Sequence, residues 1–251
     1  MFFLTNDDGI YAAGIAHLAE AVEPLGAVFV VAPDRERSNI SMAITIDRPL
    51  RAHQHGENRY AVDGTPVDCV DLAIGELLPE TPALCLSGIN MGQNLGHDVL
   101  FSGTIAAARK ATFLGVPSIA FSMPWITGQR DKWHMDTAGD IVRNVVQETL
   151  RHGLPEGVLL NVNIPNVPAA EVRGVRIVRQ DPAPYDSHVL TREDKWGAPY
   201  YWIGGKRLDA PNREQTDFGV VLDGYVSITP LHADLTHDET MEHLGAWDLR
   251  A

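Results

Sequence analysis

Two adjacent carboxylates, Asp7 and Asp8, stand directly behind the apolar run FFLT, between Asn6 and Gly9. Side by side such a pair repels itself, and a bound divalent cation reverses that penalty. Oxygen-rich clusters follow two further apolar runs. Asp34, Arg35, Glu36, Arg37, Ser38 and Asn39 come after AVFVVAP, and Ser87, Asn90 and Asn94 come after ALCL. The innermost residues include no histidine or cysteine. Carboxylate, hydroxyl and carboxamide oxygens suit magnesium, manganese or calcium rather than zinc. Ser102, Gly103 and Thr104 then open a helix of small residues, where unpaired backbone N–H groups and two hydroxyls favour a phosphate. Each signal has a plainer reading. Asn, Asp and Gly are common turn residues, and Ser or Thr caps many helices that bind nothing. A metal site is favoured because several such clusters emerge from strand ends at the same edge.

The elements that must present these residues alternate along the first half. FFLT, AVFVVAP, ALCLSG, VPSIAFS and VLLNVNIP read as buried strands. Between them run helical patterns. Residues 14–23 carry Ile15, Leu18, Ala19 and Val22 on one face. Residues 65–78 start with Thr65 as N-cap, Pro66 at the first position and Asp68 completing a capping box. GTIAAARKATFLG forms the next helix. Asp136 to His152 places Ile141, Val142, Val145, Val146 and Leu150 inward and stops at Gly153. Buried strands separated by amphipathic helices imply an α/β fold, a Rossmann-like three-layer sandwich with a mainly parallel sheet. Ligands in such sheets sit outside the carboxyl ends of the strands. One domain over 1–251 is expected, with two excursions: a hairpin at about 42–63, and a polar, aromatic-rich stretch at about 180–217. An arm packing on a partner subunit explains Tyr200, Tyr201 and Trp202 better than exposure to water.

Composition narrows the function. A net charge of −13 disfavours nonspecific binding to nucleic-acid polymers or to anionic membranes. An acidic protein acting on anionic substrates needs metal ions or helix N-termini to offset repulsion. Cys69 and Cys85 have no metal-like spacing and read as core thiols. No apolar run approaches the ~18 residues of a membrane span, and no secretory signal opens the chain, so the cytoplasm is the expected location. The first βα turn lacks G-x-G-x-x-G, which disfavours a dinucleotide oxidoreductase.

TNDDGI, APDRERS, DGTPVDCV, SGINMGQN, FSGTIAAA, LNVNIP and GYVSITPL occur in the order found in the SurE family, the stationary-phase survival proteins, which this sequence resembles from residue 4 to about 231. The resemblance implies a metal-dependent phosphomonoesterase acting on nucleoside 5′- and 3′-monophosphates, and in some members on short polyphosphate. It also implies a homodimer or homotetramer that exchanges C-terminal elements. Carried over by motif, one divalent ion per subunit, Mg²⁺ or Mn²⁺, would be held by Asp7, Asp8, Ser38 and Asn90. Asn94, Ser102, Gly103 and Thr104 would hold the phosphate. The sequence departs from the family at three nearby positions. Asn39 replaces a usual glycine, the least costly exchange if that position needs positive φ. Phe101 replaces a frequent tyrosine, and His97 a frequent aspartate.

The expected mechanism is direct attack by metal-activated water, with Asp8 orienting or deprotonating it beside Asp7. His97, His232 and His237 are the histidines weighed as proton donors to the leaving group. His53 and His55 share one face of the expected hairpin, and HDETMEH lacks the His-Glu-x-x-His order of zinc peptidases. Two rival functions use similar residues: a noncatalytic nucleotide-binding regulator and a metal-dependent sugar-nucleotide transferase.

Overall fold

FFLT becomes β1 (Phe2–Thr5), buried at every position because the strand lies inside the sheet with helices over both faces. The computed structural model describes residues 1–125, 132–183, 185–207 and 213–248. The elements that follow are α1 (Ala13–Val22), β2 (Val28–Pro33), β3 (Ala52–Gly56), β4 (Arg59–Val62) and α2 (Pro66–Leu72). Next come β5 (Leu84–Met91), α3 (Gly103–Phe113), β6 (Ser118–Met123), α4 (Met135–His152) and β7 (Val158–Asn163). The remainder is β8 (Val175–Ile177), β9 (Tyr185–Glu193), β10 (Pro199–Arg207), α5 (Asp217–Leu222), β11 (Val226–His232) and α6 (Asp238–Leu244).

Nine strands form one sheet in the order β3-β4-β2-β1-β5-β6-β7-β11-β8. Strands β4, β2, β1, β5, β6 and β7 run parallel, β3 and β11 are antiparallel to their neighbours β4 and β7, and β8 returns parallel to β11. The sheet is flanked by α1 and α4 on one side and by α2 and α3 on the other. Alternation along β1 divides the core between them. Phe2 and Leu4 join Ile15, Leu18, Val142 and Val146, while Phe3 joins Phe29, Val70, Cys69 and Cys85. The Rossmann-like α/β expectation holds. From β1 the chain winds outward to β2 and β4, then crosses back to start β5 on the other side of β1. That reversal opens a crevice at the carboxyl ends of β1 and β5, where ligands bind in such sheets.

Several local readings need adjustment. The 42–63 stretch pairs as a hairpin only over β3 and β4, and the chain before it is irregular. Leu150, placed inward by periodicity, is 47% exposed on the last turn of α4, where the buried stripe runs through Thr149 instead. Between 180 and 217 lies an antiparallel hairpin of β9 and β10, apart from the main sheet. Residues 184 and 208–212 of that stretch lie outside the described residues. Both cysteines are free, buried thiols. No helix among the described residues is long and apolar enough to cross a membrane.

The capping box at α2 also anchors the connection from β2. Thr65 Oγ1 accepts from Asp68 N–H and donates to Ala43 O. The buried Asp68 carboxylate accepts from Thr65 N–H at 2.8 Å and from both N–H and hydroxyl of Thr45 at 2.9 and 2.6 Å. Asp68→Ala strips three donors of their acceptor at once. A loss of about 3 kcal/mol is expected, read as a lower urea midpoint with the slope unchanged; a cost under about 1 kcal/mol would refute the anchoring role.

Candidate metal and phosphate site

At the crevice beside β1, the turn Asn6–Gly9 is built by its outer residues. Asn6 Nδ2 donates to Gly9 O at 3.0 Å, and Gly9 N–H donates back to Asn6 Oδ1 at 3.1 Å. Gly9 sits at φ +100°, and a Cβ there would lie 3.0 Å from the Arg35 carbonyl carbon. Asn6 and Gly9 therefore do the ordinary work of a turn, which frees Asp7 and Asp8 to face the crevice.

The connection after β2 folds over this turn. Ile10 N–H donates to Pro33 O, and Arg37 N–H to Asp7 O at 2.7 Å. Further along, Ser41 donates its N–H to Phe101 O and its hydroxyl to Leu100 O. Ser38 is thus held between two fixed points. Asn39 adopts φ +55°, the left-handed conformation that makes asparagine a workable substitute for glycine. From the other side, β5 breaks register against β6 between Ser87 and Asn90, an irregularity that re-aims the strand end. Asn90 Nδ2 donates to Gly92 O at 2.8 Å, leaving its carbonyl oxygen as the atom for a ligand.

These connections close around a cavity of about 440 Å³. Asp7, Asp8, Ser38, Asn90, Asn94 and Ser102 all line it, so residues from the ends of three strands, β1, β2 and β5, meet at one place. Gly103 and Thr104 do not. Thr104, fully buried, donates its hydroxyl to Asp7 Oδ1, and the backbone N–H groups of Gly103 and Thr104 also face that carboxylate. The helix start expected to meet a phosphate directly meets Asp7 instead, since the nearest anion is the protein's own. Ser102 accepts from Ile105 N–H as N-cap, which leaves its hydroxyl proton for donation into the cavity.

Other lining residues carry no ligand or phosphate role in the sequence reading. Glu36 accepts the Ser38 hydroxyl at 2.8 Å, and Asp98, Phe101 and Trp125 complete the wall. Asn94 is set by a buried amide network. Its N–H donates to Asn163 Oδ1, its carbonyl accepts from both Asn161 and Asn163, and its Nδ2 donates to Ser122 Oγ. A signal for this existed in LNVNIP: two amides at i and i+2 of a buried strand must share a face and find partners. Farther along the chain, Asp217 accepts Gly96 N–H at 2.9 Å, so a C-terminal helix steadies the same loop.

The cavity is electrostatically unbalanced. Four carboxylates line it (Asp7, Asp8, Glu36 and Asp98), and no lysine, arginine or histidine does among the described residues. Burial holds the Asp7 carboxyl above its ordinary range despite its hydrogen bonds. Burial, then the neighbouring Asp7 charge, pushes Asp8 up to about 6. Such a site favours a cation. No cluster of three His, Cys, Asp or Glu side chains with metal-ligand geometry occurs among the described residues. The donors converging here are instead two carboxylates and the neutral oxygens of Ser38 and Asn90, a set suited to a hard ion. None of the histidines weighed as proton donors lines the cavity. His232 borders a separate groove, and the His237 ring caps α6.

Known proteins are similar to this chain over nearly its whole length. Residues 2–187 match the family model described as survival protein SurE. A protein of Pelobacter propionicus called 5′-nucleotidase SurE is 47% identical over 97% of this chain and 98% of its own. One of the same name from Vibrio cholerae is 44% identical over 97% and 96%. A crystal structure of the SurE protein from Aquifex aeolicus superposes with a TM-score of 0.87 at 41% identity, covering 97% of each chain. Matched over nearly its whole length in sequence and in fold, the chain belongs to the SurE family.

Proposed function

We propose that the chain is a phosphomonoesterase dependent on one divalent ion per subunit, Mg²⁺ or Mn²⁺. Its substrates are nucleoside 5′- and 3′-monophosphates, which it hydrolyses to nucleoside and phosphate, with short polyphosphate as a further substrate. One observation carries this reading. Oxygen donors from separate βα junctions line a single acidic cavity that has no cationic side chain among the described residues. Relatives named 5′-nucleotidase support the substrate class.

Asp7, Asp8, Ser38 and Asn90 would hold the ion. When bound, it would supply Lewis acidity toward a phosphate oxygen and acidify water. Asn94 Nδ2 and the Ser102 hydroxyl provide neutral donors for phosphate oxygens as charge builds on them. Gly103 and Thr104 act through Asp7, whose carboxylate they orient. Asp8, more open than Asp7, orients a water and takes its proton as the water oxygen attacks phosphorus. The P–O bond to the ribose breaks, and the leaving oxygen takes a proton from solvent to give the nucleoside hydroxyl. Self-association through the β9–β10 hairpin belongs to the same proposal. Tyr201 is 64% and Trp202 62% exposed, and a second subunit would cover them.

Phosphate release from AMP, 3′-AMP and tripolyphosphate, with Mg²⁺, Mn²⁺ or EDTA, tests the reading. Metal-dependent release from the nucleotides is expected; binding without turnover, or turnover indifferent to EDTA, would overturn it. Stability gives an independent measure. In metal-free protein the folded Asp8 carboxyl titrates at about 6, against 3.8 for the unperturbed group. The folded state therefore holds the extra proton between those values, so stability falls as pH rises from about 4 through 6. The loss is about 3 kcal/mol above that window. Added Mn²⁺ should raise the Tm by several degrees at pH 7.5 and by much less at pH 5; equal shifts would contradict the site.

A further inference from the structure

The cavity has a second character that phosphate chemistry leaves unused. Beside its acidic floor stand two large aromatic side chains, Phe101 at 58% and Trp125 at 55% exposure, each lining the same cavity as Asp8. They arrive from different elements. Phe101 immediately precedes the Ser102 cap of α3, and its backbone carbonyl is held by Ser41 N–H. Trp125 lies just beyond β6, with its ring next to Gly92: a Cβ built there would be 3.7 Å from Trp125 Cζ2. Two half-exposed rings at the rim of a polar cavity keep apolar surface in water, a cost that a flat apolar ligand group would remove. Met91 adds a polarizable side chain to the same lining.

We propose that Phe101 and Trp125 form the nucleobase subsite, holding the base of a nucleoside monophosphate by its faces while its phosphate lies at Asn94 and Ser102. The inference rests on the nucleotidase reading and extends it to the organic half of the substrate. Stacking reads π-faces rather than hydrogen-bonding edges, so the subsite accepts every base and favours the larger purines. Phe101 contributes a ring with no polar group. The tyrosine hydroxyl frequent at that position in the family is therefore not needed for stacking. These are binding residues, remote from the reacting atoms, and their effect belongs in KM.

The test compares a substrate that has a base with one that lacks it. Trp125→Ala and Phe101→Ala should each lower kcat/KM for AMP roughly tenfold, mainly through KM, and lower it less than about threefold for ribose 5-phosphate. Trp125→Phe should restore AMP to within about threefold of wild type. Equal losses on both substrates would show that the rings only support the fold of the site. No loss on either would show that they do not meet the base, and a changed subunit association would assign them to an interface. A binding measurement separates failure here from failure of the nucleotidase reading. Adenosine should quench tryptophan fluorescence in wild type with EDTA present, and Trp125→Phe should remove most of that quench. A wild type inactive on all phosphate esters but quenched through Trp125 would sink the enzyme and keep the subsite. An active enzyme whose quench survives Trp125→Phe would do the reverse.

Discussion

Asp8→Asn is expected to reduce phosphate release from AMP by at least about 10³-fold while leaving the protein folded and, without metal, more stable. The two effects share a cause. Asp8 is held near neutrality's edge by burial and by the charge of Asp7, so its ionised form is a burden to the fold at pH 7.5. Asparagine keeps the shape, carries no charge and relieves that burden. Activity goes the other way, because an amide cannot take a proton from water and is a poorer ligand for a hard cation. Several kcal/mol of transition-state stabilisation would disappear, and each 1.36 kcal/mol corresponds to about a factor of ten in rate. Measured in EDTA at pH 7.5, the Tm should rise. Turnover within tenfold of wild type would remove Asp8 from the mechanism, and a fall in Tm would mean that its charge is compensated.

Gly103→Ala is expected to cost about 10²-fold or more in kcat and to weaken Mn²⁺ binding by a similar factor, although alanine is the better helix former. The reason is distance. A Cβ on Gly103 would lie 2.7 Å from Asp7 Cβ and 2.9 Å from its Oδ2. Asp7 cannot easily retreat, since its carboxylate takes the Thr104 hydroxyl and its own carbonyl takes Arg37 N–H. The clash must therefore be relieved by moving a ligand. Calorimetric titration with Mn²⁺ and steady-state kinetics on AMP read the two consequences separately. Wild-type affinity and turnover in this variant would show that the close packing of α3 on Asp7 is not what places the carboxylate.

The element pattern is largely legible in the sequence. β1, β2, β6 and β7 lie where the apolar runs put them, and the Thr65–Asp68 capping box forms as spelled. These succeed because burial and capping act over a few neighbouring residues. Leu150 failed for the complementary reason: periodicity gives a broad face, but only the packing decides which side of the last turn of α4 is covered, and it covers Thr149. Within the site, Asp7, Asp8, Ser38, Asn90, Asn94 and Ser102 were legible as oxygen donors at strand ends or by their family motifs. Thr104 and Gly103 looked the same on paper. Their task depends on an aspartate nearly a hundred residues away, which no local rule brings beside them.

The sequence by itself determined the kind of chemistry available: hard oxygen donors following buried strands, on a chain acidic enough to need a cation for an anionic substrate. Only the tertiary structure decided which donors share a cavity and which support them from behind, and which aromatic rings, Phe101 and Trp125, flank it. The physical reason is the winding of the sheet. Reversal at β1 and β5 brings junctions far apart in the chain to one crevice, and such long-range closure is set by how the whole core packs.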